Sequence, residues 1–149
     1  MKKTLTEDKI QLKELIDQVS ILGDQKDFNN QVQLFTENAL SETRAEGKVI
    51  MELKGRDVMA KAFAEFLKDV NTVYHFNGQS LFTIKEDDAT GTCYCLITMV
   101  SNQKDKKIRT TIGAVYNDHY VRQGDQWLIE KRIGDFLWQN QCEIHSSDF

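Results

Sequence analysis

The sequence predicts an α+β fold: three N-terminal helices packed on a curved mixed or antiparallel β-sheet that encloses a pocket. Two observations carry that prediction. Apolar residues recur at helical steps through the first third of the chain, whereas from Thr72 onward the segments read as strands separated by short polar breaks. A chain of 149 residues with 40% hydrophobic and 28% charged side chains is also long enough to bury one sizeable core without a metal or a crosslink. It is read as one domain over 1–149, with a short flexible tail from about 140 to 149.

The first helix is signalled by Leu12, Leu15, Ile16, Val19 and Leu22, which form one apolar stripe while Lys13, Glu14, Asp17 and Gln18 fall elsewhere. Thr4 followed by Glu7 fits a capping box at its start. Gly23 and Asp24 interrupt it, and Asp27 is placed to cap a short second helix with Phe28, Val32 and Phe35 on one face. The run from Ala39 to Leu53 then reads as two short extended pieces around Glu46 and Gly47. Gly55 precedes a third helix whose apolar face is Met59, Phe63 and Phe66, with Ala62 and Leu67 nearby; Asp57 suits its first turn, and Arg56 reaches toward another element. Four strands follow, at about Thr72 to Ile84, Gly91 to Val100, Ile108 to Tyr120 and Trp127 to Leu137. EDDA, SNQKDKK and RQGDQ separate them and are short enough for an antiparallel meander. Trp127 is read as a sheet-packing anchor.

Several function classes fall away. The net charge is −4, with 19 basic against 23 acidic side chains, and the basic run Lys104 to Lys107 reads as a hairpin tip, so no nucleic-acid partner is expected. No apolar run is long enough to span a bilayer, and MKKTLTEDK carries no apolar core of a secretion signal, so no membrane partner and a cytoplasmic location are expected. Cys93, Cys95 and Cys142 lack framework spacing, which suits a reducing compartment. Cys142 and His145 make an isolated C-x-x-H, a weak zinc signal, and no metal site is expected. Glycine-rich nucleotide fingerprints, a phosphate-loop lysine and H-E-x-x-H are all missing, so no cofactor is expected.

A sheet wrapped over helices forms a cone, and its open end becomes a ligand pocket when lined by apolar and a few polar groups. Alternation places Val73, His75 and Asn77 on one side of their strand and Thr72, Tyr74 and Phe76 on the other, one set facing the helices. The hydroxyls of Tyr74, Tyr94, Thr98, Thr111 and Tyr116, with Met99, are candidate substrate contacts; Phe136 and Trp138 line the pocket mouth or a dimer face. Such groups favour a largely apolar small ligand with one or two oxygens. His119 is expected to face solvent or pack at the sheet edge.

The segments GDQKDFNNQVQLFTENA, GRDVMAKAFAEF, TVYHF and VYNDHYVRQGDQWLIEKR, in that order, resemble the SnoaL-like polyketide cyclase group and its scytalone-dehydratase-like branch. That cystatin-like cone is similar to those of nuclear transport factor 2 and ketosteroid isomerase. The resemblance spans about Lys9 to Leu137. It implies that Asp24, in D-x-K-D-aromatic, holds His75, which follows a T-x-x-H-like strand start, and that the imidazole transfers a proton in a syn elimination of water. A carboxylate on one ring nitrogen fixes the tautomer and favours imidazolium in such pairs. Gly23 stands where the family carries a tyrosine, and a second family histidine falls near Met99.

Two functions are therefore open. One is a cofactor-independent lyase or isomerase with His75 and Asp24 as catalytic residues; the other is a non-catalytic ligand-binding or dimeric scaffold, in which Asp24 merely staples His75 to the helix junction. In either case the sheet face left uncovered by helices is expected to form a homodimer.

Overall fold

The computed structural model describes residues 3–145. Helix α1, Leu5–Asp24, starts on the expected capping box: the Thr4 hydroxyl accepts from the Glu7 backbone N–H, and the Glu7 carboxylate accepts from the Thr4 N–H. Its stripe of Leu12, Leu15, Ile16 and Val19 is buried. Burial of side chains of this size is worth about 1.5–3 kcal/mol each, so the stripe fixes which face of α1 meets the sheet.

Helix α2, Phe28–Gln31, is capped by Asp27, whose side chain accepts from the Asn30 N–H. It is a single turn that tightens into a 3₁₀ turn, Val32–Leu34, and Phe35 already opens β1, Phe35–Ala45. The shared helical face expected for Phe28, Val32 and Phe35 is thus divided among three elements. Strand β2, Lys48–Lys54, returns from β1 through Glu46 and Gly47, both at positive φ (51° and 75°), the backbone of a tight hairpin. Helix α3, Arg56–Leu67, follows Gly55, whose φ of +90° favours glycine. The Arg56 guanidinium donates twice to the Phe35 carbonyl, at 2.9 and 2.7 Å, tying the start of α3 to the start of β1.

Strands β3, Thr72–Lys85, β4, Asp88–Gln103, β5, Lys106–Gln123, and β6, Gln126–Ile144, form the expected antiparallel meander, each longer than its apolar segment. Strand β6 continues through Ile144, well into the segment expected as a flexible tail; the rest of that segment after His145 lies outside the described residues. The sheet order is β2-β1-β6-β5-β4-β3, with β1 parallel to β6 and every other pair antiparallel. Register shifts at Asn77/Ser80, Gly113/Ala114 and His119/Tyr120 insert extra residues. Such bulges bend their strands and curl the sheet around the helices.

The core lies between α1, α3 and the concave face, where Leu12, Ile16, Phe35, Met59, Tyr120 and Ile129 are fully buried. Trp127 joins it as the anchor expected: its indole N–H donates to Asp8 at 3.1 Å, and Arg122 both lies over its ring and reaches the same carboxylate at 2.9 Å. That trio ties the first turns of α1 to the β5–β6 hairpin. Among the described residues no helix is long and apolar enough to cross a membrane.

Candidate functional site

At the other end of the helices the concave face stands away from α1 and α3 and leaves a cavity of about 140 Å³. His75 lies in its wall because alternation along β3 sends Val73 and His75 inward together. Asp24 is the last residue of α1. A carboxylate there faces the negative end of the helix dipole, which disfavours it by about 0.3–1 kcal/mol. What offsets that cost is His75: its backbone N–H donates to both Asp24 oxygens at 3.1 Å, and its ring Nδ1 lies 2.6 Å from Oδ1. Because an ionised carboxylate only accepts, the arrangement places the proton on Nδ1 and leaves Nε2 with its lone pair free. The two side chains are 18% and 24% exposed, partly shielded from water yet reachable.

Three polar groups in the same wall come from elsewhere in the chain. Gln31 is buried, and its amide donates to the Val19 carbonyl at 2.9 Å. Arg132 is held by two bonds to buried Asp118, at 2.8 and 3.0 Å, and its guanidinium lies 4.1 Å over the Tyr116 ring. Glu42 accepts from the Arg44 guanidinium at 3.3 and 3.1 Å. Burial pushes the Tyr116 phenol well above its ordinary pKa, so it stays protonated and able to donate. Burial also opposes the Arg132 charge, but Asp118 outweighs it and raises the guanidinium pKa, so Arg132 stays cationic. Among the described residues no group of three or more His, Cys, Asp or Glu is placed to hold a metal ion.

The sequence profile of the SnoaL-like domain matches residues 4–133, most of the chain. The chain belongs to the SnoaL-like family. No curated protein matches it. Among solved structures, the SnoaL-like domain is similar to a proposed scytalone dehydratase from Novosphingobium aromaticivorans, with a TM-score of 0.80, 15% identity, and 94% of this chain and 91% of that one covered. It is similar to a protein from Kribbella flavida at a TM-score of 0.82 and 15% identity, covering 92% and 95% of the two chains. A hexachlorocyclohexane dehydrochlorinase from Novosphingobium barchaimii LL02 matches at 0.76 and 17%, covering 95% and 92%. Likeness at such identities establishes a shared fold.

Of the residues singled out in the sequence, Asp24 and His75 meet, and Met99, Tyr116 and Phe136 line the cavity of the SnoaL-like domain with them. Tyr74, Tyr94, Thr98, Thr111 and Trp138 do not reach it. The pairs Tyr74↔Thr98 and Thr98↔Thr111 belong to the convex face, opposite the rows Val73↔Met99 and Ile97↔Ile112, and Trp138 lies over Gly113 on that outer side. Their hydroxyls are one residue out of phase with the concave face. His119 faces solvent in part, one of its two expected placements, and does not pack at a sheet edge: β5 is an interior strand, and the half-exposed ring contacts Asp88 and, at 2.9 Å, Glu130.

Gln31, Glu42 and Arg132 were not singled out from the sequence. Arg132 sits in the polar triplet EKR, which reads as a solvated turn of strand; only its register opposite buried Asp118 reveals an inward charge. Gln31 lies in NNQVQ, where no spacing separates it from its polar neighbours.

Proposed function

We propose that this SnoaL-like domain binds a small, largely apolar, oxygen-bearing compound and acts on it as a cofactor-independent lyase of dehydratase type, or as an isomerase, with His75 as the proton-transfer base. The observation that carries this reading is the 2.6 Å contact of His75 Nδ1 with Asp24 on a ring that borders the cavity. Nε2 takes a proton from carbon beside a carbonyl, and the C–H electron pair passes to the carbonyl oxygen as an enolate. When the enolate collapses, a β-hydroxyl leaves with the proton returned from the imidazolium, so the net change is loss of one water; in an isomerisation the proton returns to a different carbon. Asp24 orients the ring and stabilises the imidazolium. The protonated Tyr116 phenol and the Arg132 guanidinium are the groups of the wall suited to the enolate charge.

Met99, Phe136 and the apolar remainder of the wall hold the frame of the ligand. A homodimer through the convex face accompanies this reading. Phe76, Leu96 and Trp138 form a row there, since Phe76 pairs with Leu96, Leu96 with Gly113, and Gly113 with Trp138, and all three large side chains are exposed.

The test is turnover of apolar β-hydroxy ketones and cyclic enones of ring size by the wild type and by His75→Gln. A positioned base contributes roughly 10²–10⁴ in rate. The variant should lose that factor while unfolding at nearly the wild-type temperature; a variant that keeps wild-type turnover rejects the assignment. The second reading, a binding module without chemistry, is favoured by thioether Met99 in the wall beside Val73. It predicts that the variant changes affinity alone.

A further inference from the structure

We infer, on the reading of the cavity as a ligand site, that Gln31 is its specificity-determining polar anchor: Gln31 Oε1 accepts a hydrogen bond from the ligand, so that the site selects a ring-sized apolar compound carrying a hydroxyl or N–H donor. Gln31 is 9% exposed and lines the cavity. Its Nε2 donates to the Val19 carbonyl at 2.9 Å, and turning the amide over would set Oε1 against that carbonyl, acceptor against acceptor, so the orientation is fixed. Oε1 then has no partner among the described residues, the one buried side-chain oxygen or nitrogen there in that position. Buried acceptors are ordinarily paired, and an unpaired one on a residue of the cavity wall is a demand for a donor.

The neighbourhood says where that donor would sit. A Cβ on Gly23 would fall 2.8 Å from Gln31 Nε2 and 4.0 Å from His75 Cε1, so the bare Gly23 leaves room for the Gln31 amide at the end of α1, close to the imidazole. Around them the wall is apolar, with Val19, Phe28, Phe63, Val73 and Ile97. A donor on Oε1 therefore holds the ligand beside the imidazole while its frame packs on hydrocarbon. A hydrogen-bonding site of this kind rejects an analogue that lacks the donor, because the acceptor stays unpaired.

Phenol and benzene, which differ by one hydroxyl, are the probes; an apolar cavity of about 150 Å³ accepts benzene. Their affinities are measured by NMR titration on the wild type, Gln31→Met and His75→Gln. Phenol should bind the wild type about ten-fold tighter than benzene, and Gln31→Met, which keeps side-chain length without the acceptor, should abolish the preference while holding benzene affinity within about three-fold. In the wild type the Gln31 side-chain carbonyl resonance should shift with phenol and stay with benzene, a readout independent of how well the variant folds. Equal affinities in the wild type, failure of both probes to enter, or a preference that survives Gln31→Met overturns the inference. So does a preference lost in His75→Gln alone, which would seat the hydroxyl on the imidazole. Unchanged turnover in His75→Gln with an intact phenol preference would sink the proton chemistry and leave the Gln31 anchor standing.

Discussion

Replacing Asp24 by asparagine separates what the carboxylate does for the fold from what it does for the ring. Asp24 receives two donors, the His75 backbone N–H and ring Nδ1. The amide of Asp24→Asn would keep an oxygen for the backbone N–H but would turn its N–H₂ toward Nδ1. The imidazole must then accept at Nδ1 and carry its proton on Nε2, the reverse of the wild-type tautomer. In stability the change converts charge-assisted bonds, worth about 1.5–3 kcal/mol each when buried, into neutral ones of about 0.5–1.5. With both side chains roughly a fifth exposed the loss is discounted to about 1 kcal/mol, or roughly 2–4 °C in melting temperature for a chain of this size. Asp24→Ala leaves both donors without a partner and should cost about 2–3 kcal/mol. The tautomer is read directly, without any substrate, from the ¹⁵N shifts of the His75 ring in alkaline buffer: Nδ1 protonated in the wild type, Nε2 protonated in Asp24→Asn. If the two proteins show the same tautomer, the carboxylate does not set the state of the ring; if the wild type carries its proton on Nε2, the base assigned there fails.

Asp8 should govern part of the acid sensitivity. The bond from Arg122, then that from Trp127, holds its carboxyl below the usual range against the opposing effect of burial. Its folded pKa is thus below its unfolded one, so its stabilisation is complete above the unfolded value of about 3.9 and is lost as pH falls through the folded value. Asp8→Asn should cost about 2–3 kcal/mol near neutrality, and the gap in urea midpoint between variant and wild type should close on acidification below roughly pH 4; a gap that persists there contradicts this. Burial pushes the Cys95 thiol up to about 12 and raises Cys93 as well, and only thiolate reacts. A disulfide reagent in mildly alkaline buffer should therefore titrate Cys142 promptly and all three cysteines only in denaturant; prompt native labelling of Cys95 would show the inner face to be open. Trp138→Lys places a charge in the exposed row of the convex face and should convert a sedimenting dimer to monomer, whereas a wild-type monomer removes the proposed interface.

The fold was legible because its signals are periodic. The stripe Leu12, Leu15, Ile16 and Val19 is buried as its spacing requires, and the alternation around His75 resolves into a concave and a convex face. Boundaries were less legible: hydrogen-bonded ladders extend β4 and β5 into polar hairpin arms such as Asn102 and Gln103, where composition carries no strand signal. The parallel pairing of β1 with β6 joins segments far apart in sequence, and no local pattern announces it. For the site, a chemical type was readable and a direction was not. Tyr74 and Tyr94 offered hydroxyls beside the right residues, but a strand turns each side chain opposite to its neighbour, so adjacency to His75 removed Tyr74 from the cavity. Arg132 and Gln31 enter it through pairings that exist only in three dimensions, with Asp118 and with the Val19 carbonyl.

The staple and the base, alternatives on the sequence alone, use different atoms of the same pair. The staple is the His75 backbone N–H on the carboxylate, which any residue but proline at position 75 would supply; it joins the end of α1 to the start of β3 whatever the side chain. The ring contact is a second bond at this junction, and it places the shorter separation, 2.6 Å against 3.1 Å, on a group that borders the cavity. Where the backbone bond is the whole staple, leucine at this position costs little, since that bond remains and the wall beside it is apolar. His75→Leu should therefore melt within about 1 kcal/mol of the wild type if the ring serves chemistry, and markedly lower if the ring itself holds the strand. Turnover and melting temperature measured on that one variant divide the two roles, because a catalytic ring loses the first while sparing the second.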